Sequence, residues 1–276
     1  MRTPIKKMID LHCHMLPSID DGAKNLDIAL GMAQHAVADG ITTVACTPHI
    51  YPGLYENTKA GIIQSISSFE EVLRSEGVAL ELVCGADVHV DVDLVQGIRS
   101  GRIATLNDTR YLLLEFPHRG NIKMMQDCVF NLHRAGYIPI ITHPERQRWI
   151  DEYYDSLVEM VKQGAWIQLT AQSITGGFGK RALHWSERML DDGIVHLIAT
   201  DAHNLTRRPP VLSEGRNRIT QLLGKQEADN MMVARPQGIL CNADPSSLPP
   251  PPAYDSTGNL VIKEKGLIDK LKSWLS

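Results

Sequence analysis

The 276-residue sequence has no basic excess, no paired-cysteine spacing and no long apolar run, and each lack closes off a class of function. Its formal charge is −4 and its pI near 6.3, so a nucleic-acid partner would need a local basic patch that the sequence does not show. The five cysteines, Cys13, Cys46, Cys84, Cys128 and Cys241, form an odd set without a CxxC pair. They read as reduced core thiols of a cytoplasmic protein. Residues Met1 to Met8 are short and basic, with no apolar stretch of the kind that marks an export signal. No run reaches the ~18 apolar residues that a membrane span needs. With 43% hydrophobic and 22% charged side chains, the chain has room for one large α/β domain but hardly for a second.

What is present is a recurring pattern. Apolar runs at Met8–His12, Ile41–Thr47, Ala79–Cys84, Tyr111–Phe116, Tyr137–Thr142, Ala165–Thr170 and Ile194–Thr200 are short and nearly continuous, as strands buried on both faces are. Amphipathic helical segments lie between them. Leu26, Ala29, Leu30, Ala33 and Val37 keep helical spacing before Gly40, and Ile122, Met125, Val129 and Leu132 repeat it before Gly136. Seven strands alternating with helices predict a distorted, TIM-like (β/α)7 barrel, a single domain over residues 1–241.

Residues 242–276 differ in composition. The Pro-rich stretch from Asp244 to Tyr254 reads as a stiff linker projecting from the barrel, and Pro251-Pro-Ala-Tyr254 as part of it rather than a WW ligand. Beyond it Leu267, Ile268, Leu271, Trp274 and Leu275 share one helical face near Lys263, Lys265, Lys270 and Lys272. Such a tail is expected to dock on the barrel, on a partner or second copy, or peripherally on an anionic membrane.

Six of the strand-like runs end in a metal-liganding side chain. They deliver Asp10-Leu11-His12-Cys13-His14, Thr47-Pro48-His49, Gly85-Ala86-Asp87, Leu114-Glu115-Phe116-Pro117, Thr142-His143-Pro144-Glu145-Arg146 and Thr200-Asp201-Ala202-His203, with Asp21 added from Ile19-Asp20-Asp21-Gly22. On a strand, His12 and His14 point the same way and can grip one cation while Cys13 packs oppositely. A lone histidine beside a strand is usually a packing residue; six such ends predict one multinuclear metal site at the C-terminal rim of the barrel. His35, His133 and His184 fall in helical segments and read as surface or supporting residues, and His196 lies in a strand. His89 and His118 follow the Asp87 and Glu115 motifs closely enough to line the mouth.

Taken together, Ile9-Asp-Leu-His-Cys-His14, Leu16-Pro-Ser-Ile-Asp-Asp21-Gly22-Ala23, Thr47-Pro-His49, Glu115, His143-Pro-Glu-Arg146 and Thr200-Asp-Ala-His203 resemble the PHP (polymerase and histidinol phosphatase) superfamily. Within it they are similar to the bacterial manganese-dependent protein-tyrosine phosphatases of capsule and exopolysaccharide operons, the CpsB/CapC-like group. The resemblance runs from about Met8 to Arg208.

It implies three divalent cations, manganese first, with iron, zinc or magnesium also compatible. His12, His14 and Asp201 would hold one, Glu115 and His143 the second, and Asp21, His49 and His203 the third, with Asp87 bridging the first two. The family usually has Glu at the bridging place. Asp is shorter by about 1.5 Å, a large offset against metal–oxygen bonds of about 2.0–2.2 Å, and the other reading of Asp87 is a strand-end carboxylate capping a turn.

Three dications outweigh the four carboxylates and leave surplus positive charge for a phosphate dianion and a hydroxide. Arg146 and Arg208 stand where the family places phosphate-clamping arginines, with Arg207 competing for the second role.

The expected activity is in-line hydrolysis of a phosphate monoester. The expected substrate is a phosphotyrosine-containing protein, such as the C-terminal tail of a bacterial tyrosine kinase. The alternatives are a small metabolite ester such as histidinol phosphate, or a non-enzymatic regulatory protein whose metal site is impaired at Asp87. Cys128-Val-Phe-Asn-Leu-His-Arg134 formally matches the Cys-x5-Arg of cysteine-dependent phosphatases. Its bulky residues sit on an amphipathic helix and cannot cradle phosphate.

Overall fold

A computed structural model describes residues 7–90, 93–118, 120–255 and 257–261. Its strands are β1 (Met8–Cys13), β2 (Ile41–Cys46), β3 (His49–Tyr51), β4 (Tyr55–Glu56), β5 (Glu81–Cys84), β6 (Asp87–His89), β7 (Tyr111–Glu115), β8 (Ile138–Thr142), β9 (Trp166–Thr170) and β10 (Leu197–Ala199). Each apolar run of the sequence holds one of the main strands. Helices follow at Leu26–Asp39, Lys59–Ser75, Leu94–Arg99, Ile122–Arg134, Ile150–Lys162 and Gly179–Asp191. The first begins at Asn25, whose side chain accepts from Ile28 N–H, and ends at Gly40 with φ 93°.

The strands form two sheets, β1-β2-β5 and β10-β9-β8-β7-β6-β3-β4, parallel throughout except for the β3–β4 hairpin. Two chain continuations join them. β3 prolongs β2 past Thr47-Pro48, and β6 prolongs β5 past Gly85-Ala86. Gly85 N–H donates to Cys46 O (3.0 Å) and Asp87 N–H to Pro48 O (3.2 Å) across the bend.

At the other end Cys13 bridges Ala202 in parallel register. Asp201 N–H donates to His12 O (2.7 Å), and His14 N–H to Ala202 O (2.9 Å). These bonds bring the segment that follows β10 against β1, so the parallel strands close as a distorted barrel.

Alternation sorts the core. Ile9, Leu11, Tyr111, Leu113, Ile138, Ile140, Leu197 and Ala199 pack together in one cluster with Ala45 and Trp166, while Leu112, Leu114, Ile141, Ile167, Leu169 and Ile198 pack with the helices. β1 carries a register irregularity between Asp10 and Cys13. There Leu11 joins the first cluster and His12, one residue on, joins the ring of histidines described below, a local re-aiming of the kind bulges produce.

The Pro-rich segment does not project from the barrel. Pro251 and Ala253 are buried, Ala253 N–H donates to Gly193 O (3.1 Å), and the fully buried Arg235 collects the segment. Its Nε donates to Pro249 O (2.7 Å), Nη2 to Pro250 O (2.8 Å), and Nη1 to His196 O (2.9 Å) and Glu227 Oε1 (2.7 Å). A polyproline backbone makes no hydrogen bonds within itself, so its carbonyls are free acceptors for such a guanidinium. The expectation of a free linker overlooked that demand.

The amphipathic run Leu267–Leu275 lies outside the described residues. Among those described, no helix is long and apolar enough to cross a membrane.

Arg235→Met should remove four hydrogen bonds and strand Glu227 without its cation, costing about 3 kcal/mol of stability. A urea midpoint unchanged from wild type would contradict this role for Arg235.

Candidate metal centre

All nine residues singled out as ligands converge at the C-terminal ends of the strands. His12 Nε2 lies 3.1 Å from His14 Nε2 and 3.3 Å from Asp201 Oδ1, and His14 Nε2 lies 3.4 Å from the same oxygen. Asp87 Oδ2 is 3.4 Å from His12 Nε2 and 3.5 Å from His49 Nδ1, which is also 3.5 Å from Glu115 Oε2. His143 Nε2 stands 3.8 Å from Glu115 Oε1, 3.8 Å from Asp201 Oδ2 and 4.0 Å from Asp87 Oδ2. Asp21 Oδ1 is 3.4 Å from His203 Nε2 and 3.5 Å from His49 Nε2.

Ligand atoms around one cation at bonds of about 2.0–2.2 Å are separated by roughly 3–3.6 Å, the spacing found around His12, His14, His49 and His203, while the contacts of His143 are wider, 3.8–4.0 Å. Four overlapping groups are compatible with an ion: His14-Asp21-His49-His203, His12-His14-Asp87, His12-His143-Asp201 and His49-Asp87-Glu115. His12, His14, His49 and Asp87 each belong to two groups, so the three sets drawn from the resemblance overlap in space.

The donor chemistry fits metal ions better than it fits a self-contained hydrogen-bond network. His49 Nδ1, Asp87 Oδ2 and Asp201 Oδ1 are buried without a hydrogen-bond partner, a cost that a coordinated cation would remove. Asp87, the departure from the family pattern, reaches the cluster despite its shorter side chain.

The opposite ring nitrogens are held from behind, as ligand histidines require. His12 Nδ1 is 2.9 Å from Gln168 Oε1, His14 Nδ1 is 2.7 Å from Asp20 Oδ2, and His203 Nδ1 is 3.0 Å from Asp201 O. Asp20 also accepts from Gly22 N–H (2.9 Å) and His49 N–H (3.1 Å). Gly22 is obligatory, because a Cβ there would stand 2.1 Å from His14 O. Asp10 accepts from Thr200 N–H (2.9 Å) and Thr200 Oγ1.

Two of the nine candidate ligands, His143 (φ 35°) and Asp201 (φ 51°), have left-handed backbones. Non-glycine residues adopt these at a cost of about 1 kcal/mol or more, and they are common at working sites.

Sequence reasoning missed Asp20 and Gln168. The pair Asp20-Asp21 gave a signal without showing which carboxylate faces the ions and which supports His14, and Gln168 shows only as one polar residue inside an apolar strand.

Arg146 and Arg208 both reach the centre, each donating to Asp201 Oδ2. Arg207 is exposed and does not compete. Both guanidiniums lie over the ring of Phe178, at 4.5 and 6.0 Å, a third contact absent from the sequence reading. His89 stacks on Tyr51 at 3.9 Å, and His118 is exposed. His196 is buried against Trp166 at 4.7 Å. Cys128 lies within the helix Ile122–Arg134, whose backbone N–H groups are spent on helical bonding.

Charge is unevenly distributed. Burial, then Asp87 and Asp201, push Glu115 up to about 9. Burial opposes the charged form of His14, but Asp20 and Asp201 outweigh it and raise it to about 10. His203 falls to about 4 through burial and His14, and His143 falls well below its ordinary value through burial and Arg146. Asp201 stays ionised despite burial because Arg146, His12 and Arg208 surround it.

The sequence model of the family described as capsular polysaccharide synthesis, CpsB/CapC, matches residues 8–241. The chain belongs to the CpsB/CapC family. It is 36% identical over 201 residues to the tyrosine-protein phosphatase YwqE of Bacillus subtilis strain 168, covering 73% of this chain and 79% of that protein. It is 33% identical over 207 residues to the putative tyrosine-protein phosphatase CapC of Staphylococcus aureus, covering 75% and 81%.

A solved structure from the study of YwqE of Bacillus subtilis and CpsB of Streptococcus pneumoniae, described as unique metal-dependent tyrosine phosphatases, superimposes with a TM-score of 0.84. The match has 31% identity and covers 94% of this chain and all of that one. The histidinol phosphate phosphatase of Lactococcus lactis shares the fold at a TM-score of 0.54 and 12% identity, over 80% of this chain and 94% of that one.

In the metal-free CpsB/CapC chain, Glu115 at about 9 and His14 at about 10 hold protons at neutral pH, and both must lose them to ligate. Metal binding at pH 7 should therefore release protons, and affinity should fall as pH falls. Calorimetry of manganese binding in two buffers of different ionisation enthalpy reads this directly; equal heats in both would refute it.

Proposed function

We propose that this chain is a metal-dependent protein-tyrosine phosphatase of capsular or exopolysaccharide synthesis, acting on a phosphotyrosine-bearing protein such as the C-terminal tail of a bacterial tyrosine kinase. The observation that carries the reading is the juxtaposition at Asp201: a cage of unpartnered buried donors on one side and two guanidiniums on the other. Cation ligands next to a paired arginine fork form a receptor for a phosphate dianion. The names of the relatives, tyrosine phosphatases at 36% and 33% identity, support the choice of ester.

The assignment proposed for the ligands is three divalent ions, manganese first. His12, His14 and Asp201 would hold one, Glu115 and His143 another, and Asp21, His49 and His203 the third, with Asp87 available to the first two. Such ions supply a water deprotonated at neutral pH and neutralise charge on the ester.

The chain's own residues do the rest. Asp20 and Gln168 lock the imidazoles of His14 and His12 so that Nε2 of each faces the cage. Arg146 and Arg208 turn their N–H donors to the phosphate oxygens and stabilise the charge that grows there during displacement. A tyrosyl leaving group, with a pKa near 10, departs with less proton assistance than an alkoxide, which suits a site whose imidazoles are committed as ligands.

With manganese, hydrolysis of phosphotyrosyl peptides should exceed that of phosphoseryl peptides and histidinol phosphate, and Arg146→Ala should lower kcat/KM roughly a hundredfold. Preferential turnover of histidinol phosphate would transfer the reading to a metabolite phosphatase. No turnover of any ester, with no bound transition metal, would point to a regulatory protein.

A further inference from the structure

We propose that Phe178 is a positioning residue that holds Arg146 and Arg208 as one phosphate-binding fork. Two like charges that converge on one carboxylate oxygen repel each other, and among the described residues Asp201 is the only acceptor of a hydrogen bond from either guanidinium. The half-buried Phe178 ring lies beneath both, 4.5 Å from Arg146 Cζ and 6.0 Å from Arg208 Cζ. An aromatic face attracts a cation without consuming its N–H groups. A carboxylate or amide in the same place would occupy those donors, whereas the ring leaves them for the ligand. Arg208 Nε is buried with no hydrogen-bond partner, a donor left over for an anion.

The turn that carries the ring is built for this placement. Gly176 and Gly179 both take positive φ, 90° and 86°, and Gly179 N–H closes onto Gly176 O (2.9 Å) while Gly177 N–H reaches Gln172 O (2.8 Å). Gln172 Nε2 in turn donates to Arg207 O (3.0 Å), tying the Phe178 turn to the loop that presents Arg208. The segments that carry Phe178 and Arg208 are thus tied to each other, and Arg146 meets both at the ring and at Asp201.

The inference rests on the phosphatase reading only for its kinetic arm. Binding of inorganic phosphate to the manganese-loaded protein, measured by calorimetry, requires no turnover. Phe178→Leu keeps apolar volume and removes the π face; it should weaken phosphate binding and raise KM for a phosphotyrosyl peptide roughly tenfold, with kcat changed less than about threefold and bound manganese unchanged. Phe178→Tyr, which keeps the face, should restore phosphate affinity to within about twofold of wild type. Phosphate affinity of the leucine variant equal to wild type, loss of its manganese, or failure of the tyrosine variant alongside it would each overturn the proposal. A wild type that binds phosphate but hydrolyses no phosphotyrosyl ester would sink the function reading, while the phosphate comparison would still decide the role of Phe178.

Discussion

The Asp201 carboxylate is the contact on which the centre depends, because it is shared between two demands of opposite character. Oδ1 faces His12 and His14 at 3.3 and 3.4 Å, and Oδ2 receives both arginines. Its own backbone N–H, donating to His12 O at 2.7 Å, is one of the bonds that close the barrel between β10 and β1. Closing the ring and assembling the site are therefore the same event. A change that opened this seam would separate the His12–His14 pair from Asp201 and the arginines together, whatever it did to the remaining strands.

The cage is stiff by construction. His12, His14 and His203 each have the nitrogen facing away from the cage engaged, so the ligating nitrogens need little reorientation when an ion arrives. The same burial that stiffens the site makes it costly when empty. Burial, with Asp87 and Asp201 alongside, favours the protonated form of Glu115, and His49 Nδ1, Asp87 Oδ2 and Asp201 Oδ1 are buried without a hydrogen bond. Metal binding relieves both, which couples the stability of this end of the barrel to cation supply.

Much of this was legible in the sequence because two signals with different periods coincide. Continuous apolar runs mark parallel strands, and a metal-liganding side chain at the end of six of the seven marks the C-terminal face; neither depends on knowing how strands pair. What stayed hidden depends on pairing. Gln168 supports His12 only because β9 and the closing seam bring residues 156 positions apart together. Phe178 meets Arg146 and Arg208 only after three loops converge. The Pro-rich segment was misjudged for a related reason: composition reports stiffness and small side chains but not the free carbonyls that Arg235, 14 residues upstream of Pro249, is placed to satisfy.

The Asp at position 87 shows how far one methylene is felt. Asp87 opens β6 in register with His49, and its Oδ2 comes within 3.4 Å of His12 Nε2 and 3.5 Å of His49 Nδ1 but stops at 4.0 Å from His143 Nε2. Its reach is thus complete toward the His12 side and shorter toward the His143–Glu115 side. A side chain one methylene longer would extend about 1.5 Å further, enough to span both. Glu115 lies on that same side, with Oε1 3.8 Å from His143 Nε2 and Oε2 3.5 Å from His49 Nδ1, where burial and the nearby Asp87 and Asp201 favour its protonated form. The one-methylene departure at Asp87 is therefore felt on the His143 side of the cluster and not on the His12 side.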